Sequence, residues 1–197
     1  MPQPLRRKDA PIDWDIESVA NHPTLSSGVG ACILAFAQAE ALTGILLVHI
    51  NWREPEKALD LWAETRTTRG KEELLKKEAA AINAKMSDLV IYILDAFTAL
   101  AKKRARLAHG VFGIITDTPD RFAWRAAVSP AKAWCEGLAA THMRPIEQET
   151  FIYEPRDFAE IAQGCADICS RIQLTSKNLV IINAFIQAYE ITDSTKV

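Results

Sequence analysis

The sequence predicts a mainly α-helical fold, a bundle of about five or six helices carrying a small β-hairpin or flap. Three observations predict it. Apolar residues recur at helical spacing across residues 71–109 and again across 157–189. Residues 29–50 are apolar at nearly every position. Residues 111–128 change character and include two short runs rich in β-branched and aromatic side chains. With 197 residues, 49% of them hydrophobic and 24% charged, the chain is long enough to bury one sizeable core. Residues 1–25 read as an N-terminal arm with a short helix, and residues 26–197 as a single helical domain.

The elements are taken in chain order. After Pro2, Pro4 and Pro11, residues 12–20 read as a short helix using Trp14 and Val19, ended by Asn21-His22-Pro23. Ser26 and Ser27 read as N-caps of the apolar helix at 29–50, in which Gln38, Glu40, Thr43 and His49 are the polar exceptions. A membrane span of that length would place Gln38 and Glu40 near the bilayer centre, where an ionised carboxylate is costly. A core helix, or one shared with a subunit interface, is therefore expected, with no membrane partner. Glu40, a charge among apolar neighbours, then calls for an Arg or Lys from another helix.

Pro55 suits a helix first turn, and Ala58, Leu59, Leu61 and Trp62 continue that helix toward Thr67-Thr68. From Lys71 the helical pattern runs to His109 with no Gly or Pro, and Ser87-Asp88 is the candidate break if there are two helices. The charges of Lys71-Glu72-Glu73 and Lys76-Lys77-Glu78 stand at i,i+4 spacing and read as a solvated face. Gly110 is expected to close the helix in the left-handed conformation. Residues 111–116 and 122–128 read as strands around Asp117-Thr118-Pro119-Asp120, with 150–153 as a third. Residues 130–140 read as a short helix carrying Trp134. The last helix opens at Asp157 with Glu160 as its reciprocal capping partner, buries Phe158, Ile161, Ala162, Cys165, Ile168, Cys169 and Ile172, and has a candidate kink at Thr175-Ser176.

A net charge of −2 excludes coating of nucleic acid by bulk positive charge. Cys32, Cys135, Cys165 and Cys169 form no C-x-x-C pair and read as small buried hydrophobes. No signal-peptide pattern comes after Arg6-Arg7-Lys8, so a reducing cytoplasm is the expected location. His49 reads as a partly buried helix-end residue. His22 and His142 sit in loops without carboxylate or thiol at metal spacing, so neither a metal nor a cofactor is expected. Phosphate-binding glycine loops, nucleophile elbows and zinc-protease motifs do not occur in the sequence.

One segment carries candidate chemistry, Arg104-Ala-Arg-Leu-Ala-His109-Gly110. An imidazole titrates near neutrality and moves protons, and a guanidinium holds phosphate through a bidentate fork. Together they form a minimal kit for metal-free phosphodiester cleavage. Five residues along an ideal helix rotate a side chain by about 500°, leaving the pair roughly 140° apart. They converge if the helix ends or distorts at Ala108 to Gly110, or if a two-fold axis supplies a second copy. Otherwise Arg104 is solvated beside Lys102 and Lys103, and His109 complements the negative end of its own helix.

The run from Arg104 to Gly113 resembles the R-N-x-L-A-H-G segment of HEPN-type helical domains, found in many prokaryotic toxin, abortive-infection and CRISPR-associated ribonucleases. The later Phe151-Ile-Tyr-Glu-Pro-Arg-Asp157-Phe is similar to the stretch C-terminal to that segment in related bacterial proteins. The likeness spans residues 26–172 in helical order, and its specific part is about ten residues. It implies an α bundle that forms a homodimer, brings two R-x4-H motifs together and cuts RNA without metal. His109 would assist attack by the ribose 2′-hydroxyl and Arg104 would hold the scissile phosphate. A protein antitoxin or regulator is a further partner that the resemblance implies. Where active members commonly carry a polar residue after the arginine, this chain has Ala105, which points to the alternative of a non-catalytic helical dimerisation or binding module.

Overall fold

The computed structural model describes residues 2–5, 11–82, 84–118, 120–126 and 150–194, with side chains as far as Gln187. The fold is mainly α, with six helices and a small antiparallel sheet among the described residues. The chain divides into two compact units, one of Met1–Leu34 with Lys103–Ala162 and the other of Ala35–Lys102 with Gln163–Val197. The helix with Trp134 expected at 130–140, Cys135 and His142 lie outside the described residues.

The first unit is built on the sheet. Its strands are β1 (Gln3–Pro4), β2 (Ile12–Asp13), β3 (Gly110–Ile115), β4 (Phe122–Ala126) and β5 (Phe151–Tyr153), ordered β1-β5-β4-β3-β2 and antiparallel throughout. β3 and β4 form the expected hairpin, with Phe112 opposite Trp124 and Gly113 opposite Ala123. Ile12 and Asp13, expected in a helix, instead pair with Ile115 and Ile114. Their strand leaves only α1 (Ile16–Ala20) helical, capped by the Asp15 carboxylate accepting from the Ser18 amide at 2.9 Å. Ile115, Ala123 and Ile152 form a small core, against which Leu5, Ile12 and Trp14 pack. Trp14 also lies under the Arg125 guanidinium, 4.2 Å from its ring centre.

An aromatic cluster fills the rest of this unit. Tyr153 stacks on Phe158 at 5.6 Å, Phe112 meets Tyr153 edge-on at 5.7 Å, and His22 meets Phe122 edge-on at 5.0 Å. Phe158 belongs to α6 (Pro155–Ser194), which starts two residues after β5 ends. Its cap lies one turn earlier than the sequence suggests. Asp157 is already the third helical residue, and its buried carboxylate accepts from the Glu154 amide at 2.9 Å. Where that helix meets α2 (Pro23–Ile50), a Cβ on Gly28 would come within 2.7 Å of the Phe158 ring, and the Cys32 thiol reaches the Phe158 carbonyl at 3.2 Å. Pro23 opens α2, so Ser26 and Ser27 are its fourth and fifth residues rather than its caps; the Ser26 hydroxyl donates to the Ala20 carbonyl at 2.7 Å.

The second unit is helical. It holds the later part of α2, then α3 (Pro55–Glu64), α4 (Thr68–Ala79), the first part of α5 (Ala84–His109) and α6 from Gln163. Although α2 is apolar all round, it buries Phe36, Ala39, Thr43, Leu46, Leu47 and Ile50 at coiled-coil-like spacing and leaves Ile45 about half exposed. Among the described residues α2 is the one helix long and apolar enough to cross a membrane by length and composition. Phe36 stacks on Phe97 of α5 at 5.0 Å. Val90, Ile93, Leu94, Phe97 and Leu100 of α5 and Cys165, Ile168, Cys169 and Ile172 of α6 are buried at the periodicity the sequence predicts. Burial pushes the Cys169 thiol pKa up, as expected of a thiol used for packing.

Residues 71–109 form two helices rather than one. The break falls after Ala79, where the Ala81 and Ile82 amides donate to Glu78 and Ala79, and Ser87 and Asp88 lie within α5. Thr175 and Ser176 do not interrupt α6; Thr175 folds its hydroxyl back to the Arg171 carbonyl at 2.8 Å.

The charge run of α4 is only partly a solvated face. Arg69–Glu73 and Lys76–Glu72 are i,i+4 pairs at 2.8 and 2.6 Å. Lys71 turns inward, its ammonium 2.9 Å from the Glu40 carboxylate and 4.7 Å from the Trp62 ring centre. This is the partner that Glu40 was expected to need. Glu72 also accepts from the Thr98 hydroxyl at 2.8 Å. The Lys76 hydrogen bond, ahead of the Thr98 one, holds the Glu72 carboxyl below its ordinary 4.5.

Candidate functional site

Arg104 and His109 both lie in the last turns of α5, in the first unit. The sequence suits a helix here because Lys102 to Ala108 holds only strong helix formers, and Leu107, buried between the two candidates, anchors the turn. The helix ends at His109, within the Ala108–Gly110 window where an end was expected if the two side chains were to converge, and Gly110 already belongs to the next strand. On a regular helix they point about 140° apart. Their surroundings differ accordingly: Arg104 is half-buried with its Nε enclosed, and His109 is exposed.

The end of α5 is held in a way the sequence did not reveal. Trp124 of β4 donates its indole N–H to the Arg106 carbonyl at 3.0 Å, occupying one of the last acceptors of the helix. Gly110 does not take the left-handed conformation expected of a helix-closing glycine. It already belongs to β3, opposite Ala126, and a Cβ there would overlap the Trp124 indole nitrogen. Its requirement is close approach, and the strand-to-helix distance that creates it has no local signature in sequence.

Behind this corner sits Tyr153, almost fully buried. Burial pushes its hydroxyl pKa up; the nearby Arg106 charge opposes that shift, while Asp157 and Cys32 add to it. The hydroxyl is therefore a neutral group over the whole physiological range. His49 is partly buried in the last turn of α2, as expected, and its carbonyl accepts from the Asn183 amide at 3.0 Å. His22 lies in the loop before α2. Among the described residues no three His, Cys, Asp or Glu side chains gather as a metal site requires.

The chemistry available at the end of α5 is thus an exposed proton carrier and a fixed, half-buried cation on one rigid helix, about 7.5 Å apart along its axis. On an ideal helix the pair would lie about 140° apart, so a substrate touching both would need a second copy or the local departure from helix geometry that follows His109. Comparison of the chain with protein-family models, curated proteins and solved structures finds no match.

Proposed function

We propose that this is a HEPN-like protein that acts on RNA as a homodimer, a metal-independent endoribonuclease of a toxin or defence system. The observation that carries the reading is the exposed His109 imidazole at the end of the helix that also holds the half-buried Arg104. Two copies arranged about a two-fold axis would set the His109 of one chain beside the Arg104 of the other. His109 then takes the proton of a ribose 2′-hydroxyl, and the oxygen attacks the adjacent phosphorus. The bond to the 5′-oxygen breaks, and that oxygen takes up a proton as it leaves. Arg104 holds the charge that develops on the phosphoryl oxygens. The products are a 2′,3′-cyclic phosphate and a 5′-hydroxyl. A regulator or antitoxin protein would act by covering this corner.

The second reading, a non-catalytic dimerisation or binding module, is favoured by Ala105 and by the enclosure of the Arg104 Nε, which suit a cation fixed for binding. One experiment separates the two. A mixed pool of labelled RNAs is incubated in EDTA with the parent chain, Arg104→Ala and His109→Ala, and the product ends are identified. Cleavage to 2′,3′-cyclic phosphate ends, lost in both variants, is expected. A folded, dimeric parent that leaves the pool intact overturns catalysis and favours the binding module.

A further inference from the structure

Single apolar side chains left in water are ordinary, but on the second unit six of them gather. Leu174, Ile181, Ile182 and Phe185 are exposed along α6, and Leu89 and Tyr92 along α5. The two helices run side by side here. The Arg171 guanidinium of α6 lies 5.3 Å over the Tyr92 ring, and Met86 of α5 lines a cleft with Leu179 and Ile182. Leu89 falls between those two meeting points, so the six belong to one two-helix face. Ile172, Thr175 and Leu179 fill the core from the opposite side of α6, which makes Leu174, Ile181 and Phe185 a second apolar stripe rather than the rim of the first.

The face is large. Phe185 is 73% exposed and Leu174 63%. Together the six leave roughly 700 Å² of mostly apolar surface in water, above the roughly 300–600 Å² of the largest patch on an ordinary monomer. That is close to the roughly 800 Å² that each partner gives to a stable interface of standard size.

The order of residues along α6 shows what fits it. Asn178 stands midway between Arg171 and Phe185 and midway between Leu174 and Ile182. A second α6 laid antiparallel about a two-fold axis at Asn178 would set Leu174 against Ile181 and Ile182 of the other copy, and Arg171 against Phe185. The guanidinium, already on the Tyr92 ring, would gain a second aromatic face, and the two Arg171 groups would stay about 21 Å apart along the helix. The two Asn178 amides, each both donor and acceptor, would pair with one another. A different protein would not require this symmetry.

We propose that the α5–α6 face is where two copies of the chain meet, with their α6 helices antiparallel about a two-fold axis at Asn178. The face holds neither Arg104 nor His109 and does not rest on the RNA reading. Sedimentation velocity of the full chain tests it, with circular dichroism to check the fold of each variant; Asn178 and Phe185 are exposed, so their substitution leaves the core of the chain intact. The parent sediments as a dimer. Asn178→Asp and Asn178→Lys each oppose like charges across the axis and sediment as monomers, and an equal mixture of the two forms the heterodimer. Phe185→Ala weakens the dimer about a hundredfold, roughly tenfold for each copy that loses its ring. A folded parent that is monomeric leaves the face to a different protein and overturns the proposal. An Asn178→Asp variant that stays dimeric, or a mixture as monomeric as its components, also overturns it, and a dimer that survives in this way leaves the RNA reading untouched.

Discussion

Replacing Gly110 with alanine tests whether the end of α5 is held by Trp124. The new Cβ would fall on the indole nitrogen, so the ring must move and its 3.0 Å hydrogen bond to the Arg106 carbonyl is lost. That bond contributes about 1 kcal/mol. Forcing a methyl into a packed corner costs about 1–3 kcal/mol more, since Trp124 is only 6% exposed and has little room to retreat. Alanine in a strand recovers about 0.5–1 kcal/mol relative to glycine, because Gly110 holds no left-handed conformation. The net expectation is a destabilisation of about 1–3 kcal/mol, read as a lowered midpoint in urea at unchanged slope. The decisive measurement is the double-mutant cycle with Trp124→Leu. With the indole gone, the alanine has nothing to strike and becomes neutral or slightly stabilising, giving a coupling of about 2 kcal/mol. If Gly110→Ala costs the same in both backgrounds, Trp124 is not what the glycine accommodates and the reasoning fails.

Two further predictions concern the α4 charges. Lys71→Met keeps an apolar stem near Trp62 but strands the Glu40 carboxylate; a loss of about 1–2 kcal/mol is expected, discounted because Glu40 is 32% exposed, and Glu40→Gln with Lys71→Met should restore most of it in urea unfolding. A double variant no more stable than Lys71→Met would contradict the pairing. Glu72, whose carboxyl is held below 4.5 in the folded chain, contributes stability that is present above that value and lost as pH falls through the lower folded value. Thr98→Val should raise the Glu72 midpoint toward 4.5 in a carboxyl NMR titration and move the acid limb of stability upward; an unmoved midpoint would deny the hydrogen bond its role.

Long helices were legible because their burial repeats. The stripe from Phe158 to Ile172 and that from Val90 to Leu100 follow from spacing alone, and so does the need of Glu40 for a cation. Boundaries were not, because tertiary contacts set them. Ala80, Ala81 and Ile82 have no local reason to leave a helix, whereas Ser87-Asp88, which looked like a break, is helical. The strands at Gln3–Pro4 and Ile12–Asp13 are two residues long, too short for an alternation to show, and exist because β5 and β3 offer edges to pair with. For the candidate site, sequence supplied the two residue types and their angular separation. It could not supply the indole lid on Arg106, because Trp124 is 18 residues away and only the β3–β4 register brings it there.

The pairing of Gln3 with Ile152 also sets a schedule. One edge strand of the sheet is synthesised about 150 residues ahead of its partner, which at ordinary ribosomal speeds is roughly 8–30 s. During that interval the leading strand has nothing to pair with, while the α2 helix and its apolar surface have already emerged. The nascent chain must therefore carry a greasy helix and an incomplete sheet together until β5 leaves the ribosome. Slowed elongation ahead of Phe151 would lengthen the exposure, and any chaperone that attends this protein would do most of its work there.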